Sequence, residues 1–126
     1  MNMEKICLDF ETALDFLRGD PATIEKLKYY ADREELCITS FGMMHLLETV
    51  KKREIITTFA NSMTILPFDK KAAIVATQIN KDIQKKGEIP KMTETIFTAS
   101  ICIANDAFLF SRVSWKFDGI HGLKRV

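Results

Sequence analysis

The chain has 126 residues, 47% of them hydrophobic and 28% charged, with a net charge of +1. That length suits one domain with a real core, so a single domain over 1–126 is expected. The balanced charge excludes a global basic field for nucleic acid and leaves only local patches. No stretch approaches the roughly 20 apolar residues of a membrane span, and the first residues lack the basic-then-apolar pattern of a signal peptide.

Cys7, Cys37 and Cys102 sit inside apolar stretches and not at metal-ligand spacing. An odd number of such thiols suits structural roles in a reducing cytoplasm.

In chain order, Ile6-Cys7-Leu8 reads as a short buried strand that delivers Asp9 at its C-terminal end. A carboxylate there is costly unless it is paired, hydrogen-bonded or bound to a metal. A short helix carrying Glu11 and Asp15 follows and stops at Gly19. Asp20-Pro21 is an N-cap with proline at the first helical position, and the helix it starts runs to Tyr30 or Ala31, burying Ile24, Leu27 and one tyrosine. Leu36-Cys37-Ile38 is a second buried strand, and Thr39-Ser40 cap a long helix expected from Phe41 to about Phe59. Met43, Leu46, Leu47 and Val50 form its apolar stripe, and His45 and Glu48 share a face. The run Lys51-Lys52-Arg53 falls near the middle of this helix, as a solvated face or as a phosphate-contacting edge.

Met63 to Leu66 forms a third extended segment, ended by Pro67. Asp69 opens a helix to about Lys86 with Ala72, Ala76, Ile79 and Ile83 at helical spacing, and Gly87 ends it. After a loop over Glu88 to Lys91, Thr93-Glu94-Thr95 begins a helix that is apolar almost all round and therefore buried. Asn105-Asp106 stops it, Ala107 to Phe110 is a further strand ending in Ser111-Arg112, and the tail from Val113 covers the core with strand and loop. Short apolar strands alternating with helices predict a three-layer α/β/α domain with a mainly parallel central sheet.

The acids carry the chemistry. Asp9 and Glu11 follow the first strand, Glu48 lies in the helix after the second, and Glu94 opens the buried helix, where the dipole favours an ionised carboxylate. Three or four carboxylates around one hollow require cations. Mg²⁺ or Mn²⁺, hard ions with oxygen ligands, are the usual answer, and they serve phosphodiester hydrolysis by activating water and stabilising the leaving oxygen.

These blocks, taken together, resemble the PIN domain family, and most closely the small VapC-type toxin ribonucleases. LDFETALDFLRGD is similar to the family's opening block, with Asp9 at the first acid; ITSFGMMHLLETVKK, LPFDKKAAIVATQINKDIQKKG, TETIFTASICIAND and LFSRVSWKFDGIHGL are similar to the blocks that follow, in order and spacing. The resemblance implies a Rossmann-like three-layer fold and a Mg²⁺- or Mn²⁺-dependent endoribonuclease, commonly a homodimer, with RNA as substrate and an antitoxin covering the acidic hollow.

The chain departs from the pattern at several acids. Glu11 stands where the family has asparagine. The second acid falls on His45, with Glu48 one turn later. The third falls on Glu94 counted from Gly87, or on Thr95 counted back from Gly122-Leu123. Val113 replaces an asparagine or acid.

Two functions follow. In the first, the chain is an active ribonuclease with Asp9, Glu94 and Glu48 as catalytic acids. Asp9, Glu11, Glu94 and His45 are then metal ligands, and Ser111, Arg112, Lys51 and Lys52 contact substrate. In the second, it is a catalytically weakened PIN-like protein that serves as a binding or regulatory partner.

Overall fold

The computed structural model describes residues 3–89 and 93–126. Part of the loop expected over Glu88 to Lys91 therefore lies outside the described residues. Five strands form one sheet in the order β3-β2-β1-β4-β5, and every neighbouring pair is parallel. The strands are β1 (Lys5–Leu8), β2 (Glu35–Thr39), β3 (Thr64–Leu66), β4 (Phe108–Phe110) and β5 (Lys124–Arg125). The helices are α1 (Phe10–Leu17), α2 (Pro21–Ala31), α3 (Ser40–Thr49), α4 (Arg53–Asn61), α5 (Lys70–Lys85) and α6 (Glu94–Ala104), and a 3₁₀ turn spans Ser114–Phe117.

Strand alternation splits the core in two. Cys7, Cys37 and Leu109 face α5 and α6, and pack with Ala72, Ala76, Ile79, Ile96, Ala99 and Cys102. Ile6, Leu8, Ile38 and Phe110 face the other way, and pack with Ala13, Leu27, Leu46, Ile56 and Phe59. This is the three-layer α/β/α arrangement expected from the alternating pattern. The three cysteines are buried and unpaired. Burial pushes the Cys37 thiol up to about 12, and the hydrogen bond with Cys102 is the largest cause holding Cys7 well above its ordinary value, so neither is a nucleophile at neutral pH.

The expected long helix over Phe41 to Phe59 is two helices. Val50 is extended at φ −93° and ψ 120°, so α3 ends there and α4 starts after Lys52. The reason is geometric. On one straight helix, at about 100° per residue, Leu46 and Phe59 would sit about 140° apart around the axis. Both are buried against the same side of the sheet, and the break makes that possible. Lys51, Lys52 and Arg53 therefore occupy an exposed junction and not a continuous helix face. Leu47, expected in the apolar stripe, is 45% exposed.

The chain leaves β1 to build β2 and β3 on one side, then returns to build β4 and β5 on the other. The sheet order reverses at β1/β4, and in open α/β sheets a crevice opens at such a switch point, beyond the C-terminal ends of the strands. Asp9 follows β1 and Ser111 follows β4.

Gly42 lies in the first turn of α3 directly over β2. A Cβ there would stand 3.0 Å from Ile38 Cγ1 and 3.3 Å from its Cδ1. Ile38 is fully buried, so it has nowhere to move. Gly42→Ala is expected to destabilise the fold by about 1–3 kcal/mol in urea unfolding, as overpacking does; an unchanged or raised midpoint would contradict this packing.

Candidate functional site at the switch point

Asp9 is 8% exposed and caps α1: its Oδ1 accepts the Thr12 N–H at 3.0 Å. Its Oδ2 accepts the Ser111 hydroxyl at 2.6 Å, a short charge-assisted bond. Ser111 Oγ in turn accepts the Val113 N–H, and Thr12 Oγ1 accepts the Arg112 N–H. The exit of β4 is thus stitched to the first turn of α1, and the carboxylate that binds them is held in one orientation.

Around Asp9 opens a hollow of about 290 Å³ lined by Phe10, Glu11, His45, Glu94, Thr98, Lys116 and their neighbours. Three helices and the 3₁₀ turn deliver these side chains. Glu11 comes from the first turn of α1, His45 from the middle of α3, Glu94 from the first position of α6, and Lys116 from the 3₁₀ turn.

The His45 ring lies flat on Phe10, with centroids 3.6 Å apart and planes 9° from parallel. That stack aims Nδ1 at Glu94 Oε2, 3.0 Å away. An ionised carboxylate can only accept, so Nδ1 is the donor. The other Glu94 oxygen, Oε1, is buried and has no partner among the described residues. The Lys116 ammonium donates to Glu11 Oε1 at 2.6 Å, and this bond is the largest cause holding the lysine above its ordinary pKa.

Asp9, Glu11, His45 and Glu94 are therefore brought to one place. Glu48 is not among the residues lining the hollow. It is exposed, beside Met44 and Phe97 on a neighbouring groove that shares His45 and Glu94. Arg112 does not line the hollow; its Nη1 is bonded to Asp15 at 3.0 Å and to Asp20 at 3.1 Å. Lys51 and Lys52 are exposed at the α3–α4 junction and do not line the hollow. Lys116 and Phe10 were missed in the sequence. No local spacing marks Lys116, which meets Glu11 only because the tail returns across the end of β1. Phe10 next to Asp9 reads as core filling until its ring is seen under His45.

A larger hollow of about 500 Å³ lies at the opposite ends of β2 and β3, walled mainly by Phe16, Leu27, Leu36, Phe59 and Met63. It offers apolar surface and no converging acids beyond Glu34 and Glu35.

The donors around Asp9 suit a hard divalent ion in kind. Asp9 and Glu94 present carboxylate oxygens, and the buried, unpartnered Glu94 Oε1 is a lone pair that a cation would satisfy. Among the described residues, however, no three His, Cys, Asp or Glu side chains stand together at ligand spacing. Glu11, which would supply the third carboxylate, is held by Lys116.

The architecture is that of PIN-like VapC structures. A chain of VapBC2 from Rickettsia felis, solved bound to a DNA fragment from its promoter, superposes with a TM-score of 0.85 at 18% identity, covering 97% of both chains. DNA-bound VapBC from Salmonella typhimurium gives 0.84 at 23% identity over 98% of both. A toxin–antitoxin complex from Klebsiella pneumoniae gives 0.74 at 13% identity over 94% of both. The likeness is one of fold across the whole chain. No family model and no curated protein matches the sequence. Among the described residues no helix is long and apolar enough to cross a membrane.

Because Asp9 caps α1 and accepts from Ser111, Asp9→Ala is expected to cost about 1–3 kcal/mol in urea unfolding. Asp9→Asn keeps a capping oxygen and is expected to cost less than half as much. Equal losses would mean that the cap contributes nothing.

Proposed function

We propose that this chain is the toxin-like member of a two-component toxin–antitoxin pair, a PIN-like endoribonuclease that hydrolyses RNA at the Asp9 hollow. The observation that carries this reading is the placement of Asp9, Glu11 and Glu94 around one hollow at the sheet's switch point. The whole-chain likeness to VapBC structures supports it.

Asp9 and Glu94 would hold Mg²⁺ or Mn²⁺, joined by Glu11 when Lys116 releases it. Such an ion supplies an activated water and stabilises charge on the phosphate. The chain's own residues do the positioning: Ser111 and Thr12 fix the Asp9 carboxylate, and the Phe10 stack fixes His45 against Glu94. Arg112, whose Nη1 is engaged by Asp15 and Asp20, and the exposed Lys51 and Lys52 would give more distant contacts for an RNA backbone. An antitoxin segment is the partner that would cover the hollow. The exposed Met44, Leu47 and Ile55 on α3 and α4 give a second copy of the chain an apolar surface for a homodimer. Three unpaired thiols suit work in a reducing cytoplasm.

One observation favours a second reading, a weakened PIN-like protein that binds a partner without turnover. Lys116 and His45 already engage two of the three acids around the hollow.

Cleavage of a mixed, structured RNA pool separates the two. The purified chain is expected to cut RNA with Mg²⁺ or Mn²⁺, to stop in chelator, and to lose activity by at least about a hundredfold in Asp9→Asn, the scale of removing one essential electrostatic group. No cleavage in any metal by the folded, partner-free chain would leave the binding reading.

A further inference from the structure

The hollow around Asp9 has an unusual charge balance. Three carboxylates line it, those of Asp9, Glu11 and Glu94, and like charges so placed are stable only with cations beside them. Among the described residues lining it, Lys116 is the permanent cation. Phe117 is 3% exposed and anchors the 3₁₀ turn in the core on the α6 side, which fixes the neighbouring backbone at the mouth of the hollow. Lys116, one residue earlier, extends its ammonium into the acid cluster and bonds Glu11 Oε1 at 2.6 Å. Its side chain keeps 38% of its surface exposed, so it can swing out to solvent without disturbing the core.

We propose that Lys116 is a built-in counter-cation of the hollow, competing with a divalent metal ion for Glu11 and so setting how tightly the chain holds metal. This rests on the reading of the hollow as a metal-assisted RNA site. It adds a regulatory feature: the chain's own ammonium holds Glu11 and frees it for an ion when Lys116 is drawn away, as an incoming phosphate oxygen would draw it. An ammonium and a divalent ion in a hollow of about 290 Å³ repel each other, so Lys116 on Glu11 Oε1 weakens the hold of that carboxylate on an ion. His45 does not play the same part, because its ring is held by the stack on Phe10 and cannot swing out as Lys116 can.

The test is a calorimetric titration of the purified full-length chain with Mn²⁺ alone, in the absence of RNA. Lys116→Met is expected to bind Mn²⁺ at least about tenfold more tightly than the wild type, since it removes a unit charge adjoining the ion. Lys116→Arg keeps the cation and is expected to stay within about threefold of wild type, because its charge is unchanged. Adding Glu11→Gln to Lys116→Met should erase the gain. Circular dichroism of each variant checks that the fold is retained, which the exposure of Lys116 favours. Wild type and Lys116→Met agreeing within about twofold, whether both bind or neither does, would overturn the proposal, as no charge competition would then exist. So would a gain in Lys116→Arg equal to that in Lys116→Met. Failure here is distinct from failure of the ribonuclease reading, which is judged by RNA cleavage in the wild-type chain.

Discussion

The hydrogen bond from the Ser111 hydroxyl to Asp9 is the constraint on which the site depends. Asp9 is nearly buried at the end of the central strand, where an unpaired carboxylate would be strongly disfavoured. Two donors resolve this, the Thr12 N–H within α1 and the Ser111 hydroxyl from across the sheet. The same two bonds join β4 to α1. The residues that follow the paired strands β1 and β4 therefore also fix a carboxylate at the mouth of the switch-point crevice.

From that point the charges follow in sequence. A fixed Asp9 attracts cations to a place where the start of α1 adds Glu11 and the start of α6 adds Glu94. Glu94 gains from the positive end of the α6 dipole and from His45. Glu11 gains from Lys116. Among the described residues, Glu94 Oε1 remains buried and unmatched. Most of the carboxylate cluster is thus engaged by the chain's own donors.

Much of this was legible in the sequence because it is local. Ile6 to Leu8 followed by Asp9, Asp20-Pro21, Asp69 and Thr93 are strand ends and helix caps written in adjacent residues, and each begins its helix where expected. The parallel sheet followed from the alternation of short apolar runs with helices. The break between α3 and α4 was not legible. Its cause is that Leu46 and Phe59 must reach the same face of the sheet, a tertiary demand that overrides a continuous helical pattern. The choice between His45 and Glu48 was equally closed. The Phe10 ring, on another helix, selects His45, whereas Glu48 lies exposed on the neighbouring groove. Lys116 meets Glu11 across most of the chain length, and no periodicity encodes such a pair.

The central claim is that the hollow at the β1/β4 switch point, and not the larger apolar hollow at the other ends of the strands, is where the chain meets cations and RNA phosphate. Paramagnetic broadening tests it most directly. Traces of Mn²⁺ added to the ¹⁵N-labelled chain should erase the amide signals of Phe10, Glu11, His45, Glu94 and Lys116 first, while those of Lys28, Leu36 and Ser62 persist. Broadening centred on the second group, or spread evenly over both, would contradict the account.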